Sequence, residues 1–499
     1  MEKEAQNDLR EDLEELIYLF SCYSNHLRSF QKLFSRIADH SSIEYIKNQT
    51  EYYLAYLQIR TTQLKELVTK SQSNLDVADI FSISKQRAVF FDQLRTVIAS
   101  IGALLTSTDW QSPSYTHSLQ SQAGIQEGEI TATINDYKRD RHLNEIQYQD
   151  AFIKEYIDGV IKFPMSAYLT TSGMAALTAI ITYLHTAKNI VGPVMIGKSI
   201  YFENAEMIRG FFKEKNIVEV DEMDTESILQ TFNTHQPDLL IFDSLCNATT
   251  VAAPDLTRIL KHITTHAQKE TYFIIDNSTL SISLQPLKEI SIKSNIRLIV
   301  FESLNKYHQF GLDRVTAGII WMRGISFANF NYARVHSGTN IVDSSCYALP
   351  LPNRKQLEKR LKRFNRNATY LAAAISDHLK TSSSKKIESV VYPGLESHPS
   401  FAWIKDSFFK GSYFVIDFKI KYKKVSEYQR FVKAVLDIAK KEKVSIVGGT
   451  SFGLNTTRIY LTAKNSKFGP PFVRVSVGTE NRLELEKIKN VFIKTIKSF

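Results

Sequence analysis

"IRLIVFESLNKYHQFG", residues 296–311, is a nearly unbroken apolar run that stops at Ser303, with a lysine, Lys306, three residues later. Such a run, short and apolar on both faces, reads as a strand of a parallel sheet covered by helices on each side. Lysine rarely sits at the mouth of a buried strand unless something consumes its charge.

Similar runs flank it: "PVMIGKSIYF" (193–202), "DLLIFDSL" (238–245), "TYFIIDNS" (271–278) and "AGIIWMRG" (317–324). Helical segments lie between most of them, which indicates an α/β fold with a mainly parallel sheet. Beyond a long helical stretch (353–380) come "SYFVIDFKI", a helix at 424–442, "VSIVGGT", "TRIYLTA" and "FVRVSVGTE". With a last helix at 480–498, these suggest a smaller C-terminal α/β domain.

The first 110 residues differ in texture. Leu9, Leu13, Leu16, Phe20, Tyr23, Leu27, Phe30 and Phe34 recur at three- and four-residue steps, the signature of an amphipathic helix. Two more helices, to about Lys70 and over about 79–106, complete an N-terminal α-helical bundle. The expected division is a helical bundle at 1–110, a linker and arm at 111–163, a large domain at 164–350 and a small domain at 351–499.

Bulk properties set limits. Of 499 residues, 43% are hydrophobic and 23% charged, as in an ordinary globular protein. No run of eighteen apolar residues exists, so no membrane partner is expected. The acidic start "MEKEAQNDLREDLEEL" is the wrong chemistry for a secretory or transit signal. Three widely spaced cysteines fit a reducing compartment, and the cytoplasm is the expected location. The net charge of +10 is concentrated partly in "NRKQLEKRLKRFNR" (353–366), which reads as a solvated helix face or subunit contact. It lacks the density and interleaved aromatics of a nucleic-acid site.

In a doubly wound sheet, ligands bind at the carboxyl ends of the strands. Those ends carry Asn247, then Asp276 and Asn277, then Ser303, Asn305 and Lys306. Upstream, "TTSGMAAL" places Ser172, Gly173 and Met174 where a loop turns into a helix, whose free N–H groups suit a phosphate. An amine, a strand-end carboxylate and a phosphate cradle together describe a pyridoxal phosphate site, in which imine formation replaces the buried ammonium.

Six motifs then carry a resemblance to a family. "INDYKRDRHLNE" (134–145), "TSGMAAL" (171–177), "DSLCNAT" (243–249), "IIDNSTL" (274–280), "ESLNKYHQFG" (302–311) and "VRVSVGTEN" (473–481) occur in the family's order. Over roughly 125–499 the chain resembles the Cys/Met-metabolism family of pyridoxal phosphate enzymes, which includes cystathionine γ-synthase, cystathionine lyases and methionine γ-lyase. The resemblance implies the aminotransferase-like fold (fold type I). It makes Lys306 the Schiff-base lysine and proton shuttle, and Asp276 the partner of the pyridine nitrogen. Asn247 would contact the ring hydroxyl, and Ser172, Gly173, Met174, Ser303 and Asn305 the phosphate. Tyr201 would stack on the ring and act in acid–base steps. Tyr137 and Arg139 would reach a neighbouring subunit's phosphate, and Tyr137 its substrate, which implies a homodimer or homotetramer with shared sites. Arg474 would clamp the substrate α-carboxylate. No metal is implied.

The implied activity is γ-replacement, or γ-elimination, on an activated homoserine-like or sulfur-containing L-amino acid. The alternatives are a β/γ-lyase of specialised amino-acid biosynthesis and a non-catalytic binding or regulatory protein on the same fold. Departures fall in "HQFGLD" after the lysine, at Ala248, and in "SIVGGTSFG" (445–453), where Ser451 stands near a position that contacts distal substrate. Alone, each residue has an ordinary reading: Lys306 as a solvated loop lysine, Asp276 as a turn residue, Arg474 as an outward-facing strand residue. His308 reads as structural.

Overall fold

The computed structural model of the chain describes residues 1–32, 34, 43–107, 145–159, 164–291, 293–323, 329–382 and 384–499. Tyr137 and Arg139 lie outside the described residues.

Three helices open the chain: α1 (Glu2–Gln31), α2 (Ile43–Lys70) and α3 (Val77–Leu105). The α1 stripe is buried from Leu9 through Phe30, against α2 and α3. These helices share one hydrophobic core with the large sheet, so their apolar faces pack inward against Tyr148, Phe152, Phe310 and Leu349. By length and composition α3 is apolar enough to cross a membrane. Its contacts supply another reason for that composition. Ile98, Ile101 and Leu105 are buried, and Arg95 donates to the Leu312 carbonyl at 2.7 Å.

The large sheet has seven strands in the order β1-β7-β6-β5-β4-β2-β3. They are β1 (Met165–Thr170), β2 (Val194–Gly197), β3 (Ile217–Val220), β4 (Leu239–Asp243), β5 (Thr271–Asp276), β6 (Ile296–Ser303) and β7 (Gly318–Arg323). From β3 to β6 all neighbours run parallel, and β7 is antiparallel to both β6 and β1. This is the mainly parallel α/β sheet of the expectation, with an antiparallel edge. The run at 193–202 is shorter than its hydrophobicity suggests. Its strand ends at Gly197, and Tyr201 already precedes the helix Phe202–Phe211.

A second sheet of five strands follows, in the order β10-β11-β12-β9-β8. Its strands are β8 (Ile387–Val391), β9 (Tyr413–Phe418), β10 (Val447–Gly448), β11 (Arg458–Thr462) and β12 (Phe472–Ser476). The helices Arg354–Thr381, Val425–Lys441 and Arg482–Ser498 cover it with a separate apolar core.

The basic run at 353–366 is not a solvated face. Arg360 and Arg363 are buried, at 4% and 5% exposure, against the acidic face of α1. Arg363 pairs with Asp8 at 3.2 Å and Glu11 at 2.7 Å, and Arg366 forks onto both Asp8 oxygens at 2.7 and 2.8 Å. Two oppositely charged helix faces, each costly to desolvate alone, have neutralised one another.

Candidate functional site

Strand register builds the site. Asp243 and Asp276 are paired at the carboxyl ends of β4 and β5, and Ser303 ends β6 beside them. Ser303 is opposite Gly318, and Gly318 is opposite Thr170, so three strands deliver Ser303 and the Ser172 turn to one edge. Ser172 caps the helix Gly173–Thr186, its Oγ accepting from the Ala175 N–H at 3.0 Å. Gly173 is required there by proximity, since a Cβ would lie 2.9 Å from the Ser303 Cβ. We expect Gly173→Ala to force Ser303 outward and weaken pyridoxal phosphate affinity about tenfold, as read by absorbance titration. An unchanged affinity would mean that this helix start does not hold phosphate.

These ends open on a cavity of roughly 600 Å³. Its walls include Ser172, Gly173 and Met174 from the helix start, Asp276 and Lys306 from the end of β5 and the turn after β6, and Arg474 with Tyr460 from the second sheet. Asn247, Tyr201, Ser303 and Asn305 line it too. Every described residue to which the resemblance gives a role therefore lines the same space, whereas Asn277 turns away and donates to the Ser281 carbonyl.

The charges are arranged unequally. Burial, and next the charge of Arg474, lowers the Lys306 amine from 10.5 to about 8. Its Nζ lies 3.2 Å from Ser451 Oγ and 5.0 Å from the centre of the Phe452 ring. Burial raises both Asp243 and Asp276 above the usual carboxylate range, most strongly Asp243, where the charge of Asp276 adds to it. Asp276 accepts from Asn204 Nδ2 at 3.0 Å and from the Ser278 N–H at 3.0 Å. Asp243 accepts from the Tyr201 N–H at 2.7 Å. Two buried carboxylates with no basic side chain in ion-pair reach among the described residues suit a cationic heterocycle. With the helix start and the amine, the residues fit pyridoxal phosphate.

Arg474 is 3% exposed in β12 and has no acidic partner among the described residues. Neutral oxygens orient it instead: Asn247 Oδ1 at 2.8 Å and the Ser451 carbonyl at 3.2 Å. Its second role as a strand residue shown to solvent is thus excluded by burial. Asn247 is held by this guanidinium, and the Asn305 side chain accepts from the Ala317 N–H at 2.8 Å, fixing the turn before β7.

Residues that the motifs did not single out complete the site. Asp243 lies inside a quoted stretch and Asn204 two residues beyond one, and their only signal is position at a strand end and a helix start. Glu302 and His308 bracket the lysine turn and meet at 2.9 Å, buried, with Ser281 Oγ 3.3 Å from the imidazole. This is the structural part expected for His308, a clasp across the turn that presents Lys306.

The family model for Cys/Met metabolism PLP-dependent enzymes matches residues 107–488. A curated relative, the bifunctional enzyme flvA of Aspergillus flavus, is 24% identical over 333 residues, 66% of this chain and 39% of that protein. The chain thus spans well under half the length of that relative. Among solved structures, cystathionine gamma synthase from Xanthomonas oryzae pv. oryzae is similar with TM-score 0.57 and 17% identity, over 78% of this chain and 92% of that one. Cystathionine gamma-lyase from Lactobacillus plantarum is similar with TM-score 0.57 and 16% identity, over 81% and 99%.

Proposed function

Because the chain belongs to the Cys/Met metabolism family of PLP-dependent enzymes, we propose that it carries out γ-replacement on an activated homoserine-like or sulfur-containing L-amino acid, with γ-elimination as the competing outcome. Pyridoxal phosphate, when bound, supplies an aldehyde that captures amines and a ring that accepts the electrons released at Cα. Lys306 would hold it, and the helix start at Ser172–Met174 with Ser303 would receive its phosphate. Asp276, supported by Asn204, would hold a proton on the ring nitrogen.

With the cofactor and substrate bound, the Lys306 amine would be the group placed to take the Cα proton and to return protons at the neighbouring carbons. A lysine poised at about 8 does this far more readily near neutrality than one at 10.5. Tyr201 is held over the cavity by the Asp243 bond to its N–H. Burial and the neighbouring Glu203 raise its phenol, which keeps it a proton donor. The choice of the γ carbon rests on the similarity to γ-synthases and γ-lyases. We propose a homodimer or homotetramer here, its site completed by Tyr137 and Arg139 of a neighbouring subunit, as the family resemblance implies.

One observation carries the amino-acid reading: Arg474 and Lys306 both touch Ser451, one at its carbonyl and one at its hydroxyl. A carboxylate clamp and a proton carrier therefore meet at one residue on the wall of the same cavity, where an α-amino acid would present both its carboxylate and its Cα proton. Arg474→Lys loses the planar fork, so KM for the amino acid should rise about 10- to 100-fold with a smaller change in kcat. Unchanged KM would remove Arg474 from the clamp. Incubation with O-acetyl- or O-succinyl-homoserine, with and without a thiol, tests the reaction. A thiol adduct supports replacement, 2-oxobutanoate alone means elimination, and neither product excludes both.

A further inference from the structure

We propose that Glu15 and Arg360 are positioning residues for Lys306, through which α1 clamps the 450–455 loop against the lysine turn. The inference rests on the reading of Lys306 as the cofactor lysine.

The Arg360 side chain is buried and reaches three acceptors from distant parts of the chain. Nη1 meets Glu15 of α1 at 2.8 Å, and Nη2 donates to the Gly453 carbonyl at 3.2 Å and to Asn455 Oδ1 at 2.6 Å. Gly453, at φ +81°, lies directly on the lysine backbone. A Cβ there would be 2.8 Å from the Lys306 carbonyl carbon and 3.0 Å from the Tyr307 nitrogen. Only glycine permits both the conformation and the approach. The two residues before it, Ser451 and Phe452, supply the hydroxyl and the ring that meet Nζ. Arg360 therefore pins the segment that sets the amine's surroundings.

The other flank is held from the same side. Tyr18 of α1 packs edge-on against Phe310 at 5.6 Å, and Phe310 adopts a left-handed backbone at φ +51°. Arg95 of α3 donates to the carbonyls of Leu312 at 2.7 Å and Asp313 at 3.3 Å. Both segments bordering Lys306 thus lean on the N-terminal helices. Glu15 is the one carboxylate in ion-pair reach of Arg360 among the described residues. Without it a buried guanidinium loses its counter-charge and its grip on Gly453 and Asn455 loosens.

The test compares Glu15→Gln, Arg360→Met and Arg360→Lys with Glu14→Gln. The last breaks the 3.1 Å Lys359–Glu14 pair on the same two helices without touching the loop. Amide hydrogen exchange of 304–313 and 450–455 is followed in the apoprotein, and pyridoxal phosphate affinity by absorbance titration. Glu15→Gln and Arg360→Met should each speed exchange in both segments and weaken affinity by about 10- to 100-fold. Arg360→Lys should recover part of the loss, and Glu14→Gln should match the wild type. Wild-type exchange and affinity in Glu15→Gln would overturn the clamp, as would an equal effect from Glu14→Gln. Should Arg360→Met not fold, Glu15→Gln and Arg360→Lys decide. A wild-type protein that takes up no pyridoxal phosphate would end the functional reading, while the exchange comparison still tests the clamp.

Discussion

Replacing Lys306 with methionine should abolish turnover, by about 10³-fold or more, while making the apoprotein more stable at pH 7. The two effects have one origin. In the folded chain burial and Arg474 depress the amine to about 8, whereas the unfolded chain keeps the ordinary 10.5. Between these values the unfolded state binds more protons, so stability rises with pH across that window. Below about pH 8 the full penalty of a buried ammonium is present, and above about 10.5 it is gone. Part of the amine borders the cavity and stays wet, which limits the penalty to on the order of 1–2 kcal/mol. Denaturant unfolding at pH 7 and at pH 10.5 measures it. The methionine variant should gain at the first pH and match the wild type at the second. Its solutions should also lack the visible absorbance of the lysine-bound cofactor. A variant that keeps turnover, or is less stable at pH 7, contradicts the assignment.

The second large effect is structural. Arg363→Met should destabilise the protein by about 3–5 kcal/mol, because it leaves a buried Asp8 beside Glu11 and Asp12 with much of its counter-charge removed. Replacing Lys359 by methionine, in an ion pair of 35% and 40% exposed side chains, should cost under about 1 kcal/mol. Equal costs for the two substitutions would show that the α1 contact is not a desolvated ionic layer. Added salt should weaken the exposed pair far more than the buried one.

Local pattern and distant pairing divide what sequence reveals about this protein. β4, β5 and β6 are legible because each is a short, almost wholly buried run, and their ends identify Asp276 and Lys306 without knowledge of any neighbour. β1 and β3 are not, since "MSAYLT" mixes polar residues into the run and "IVEV" is four residues long and half-exposed. The basic stretch at 353–366 looks like a wet face because its partners, the acids of α1, lie some 350 residues earlier. Arg474 has the same ambiguity. Alternation in β12 would place it outward, and the contacts that hold it inside, to Asn247 across 227 residues and to the Ser451 carbonyl, are both distant in sequence. Asn204 was hidden for a different reason. Asparagine after a helix start is an ordinary packing residue until the strand that ends in Asp276 is laid beneath it.

The wall behind Lys306 is stitched from Glu15, Arg360 and Gly453, residues 345 and 93 positions apart in turn. A chain growing from the ribosome makes the lysine turn long before it makes that wall. During synthesis the amine therefore waits in an immature, open setting until the segment around 450–474 has emerged and docked. Such long-range closure is slow to form and belongs to the last steps of folding. Vitamin uptake should accordingly mark the end of maturation, and its onset after refolding would serve as a clock for the final docking event.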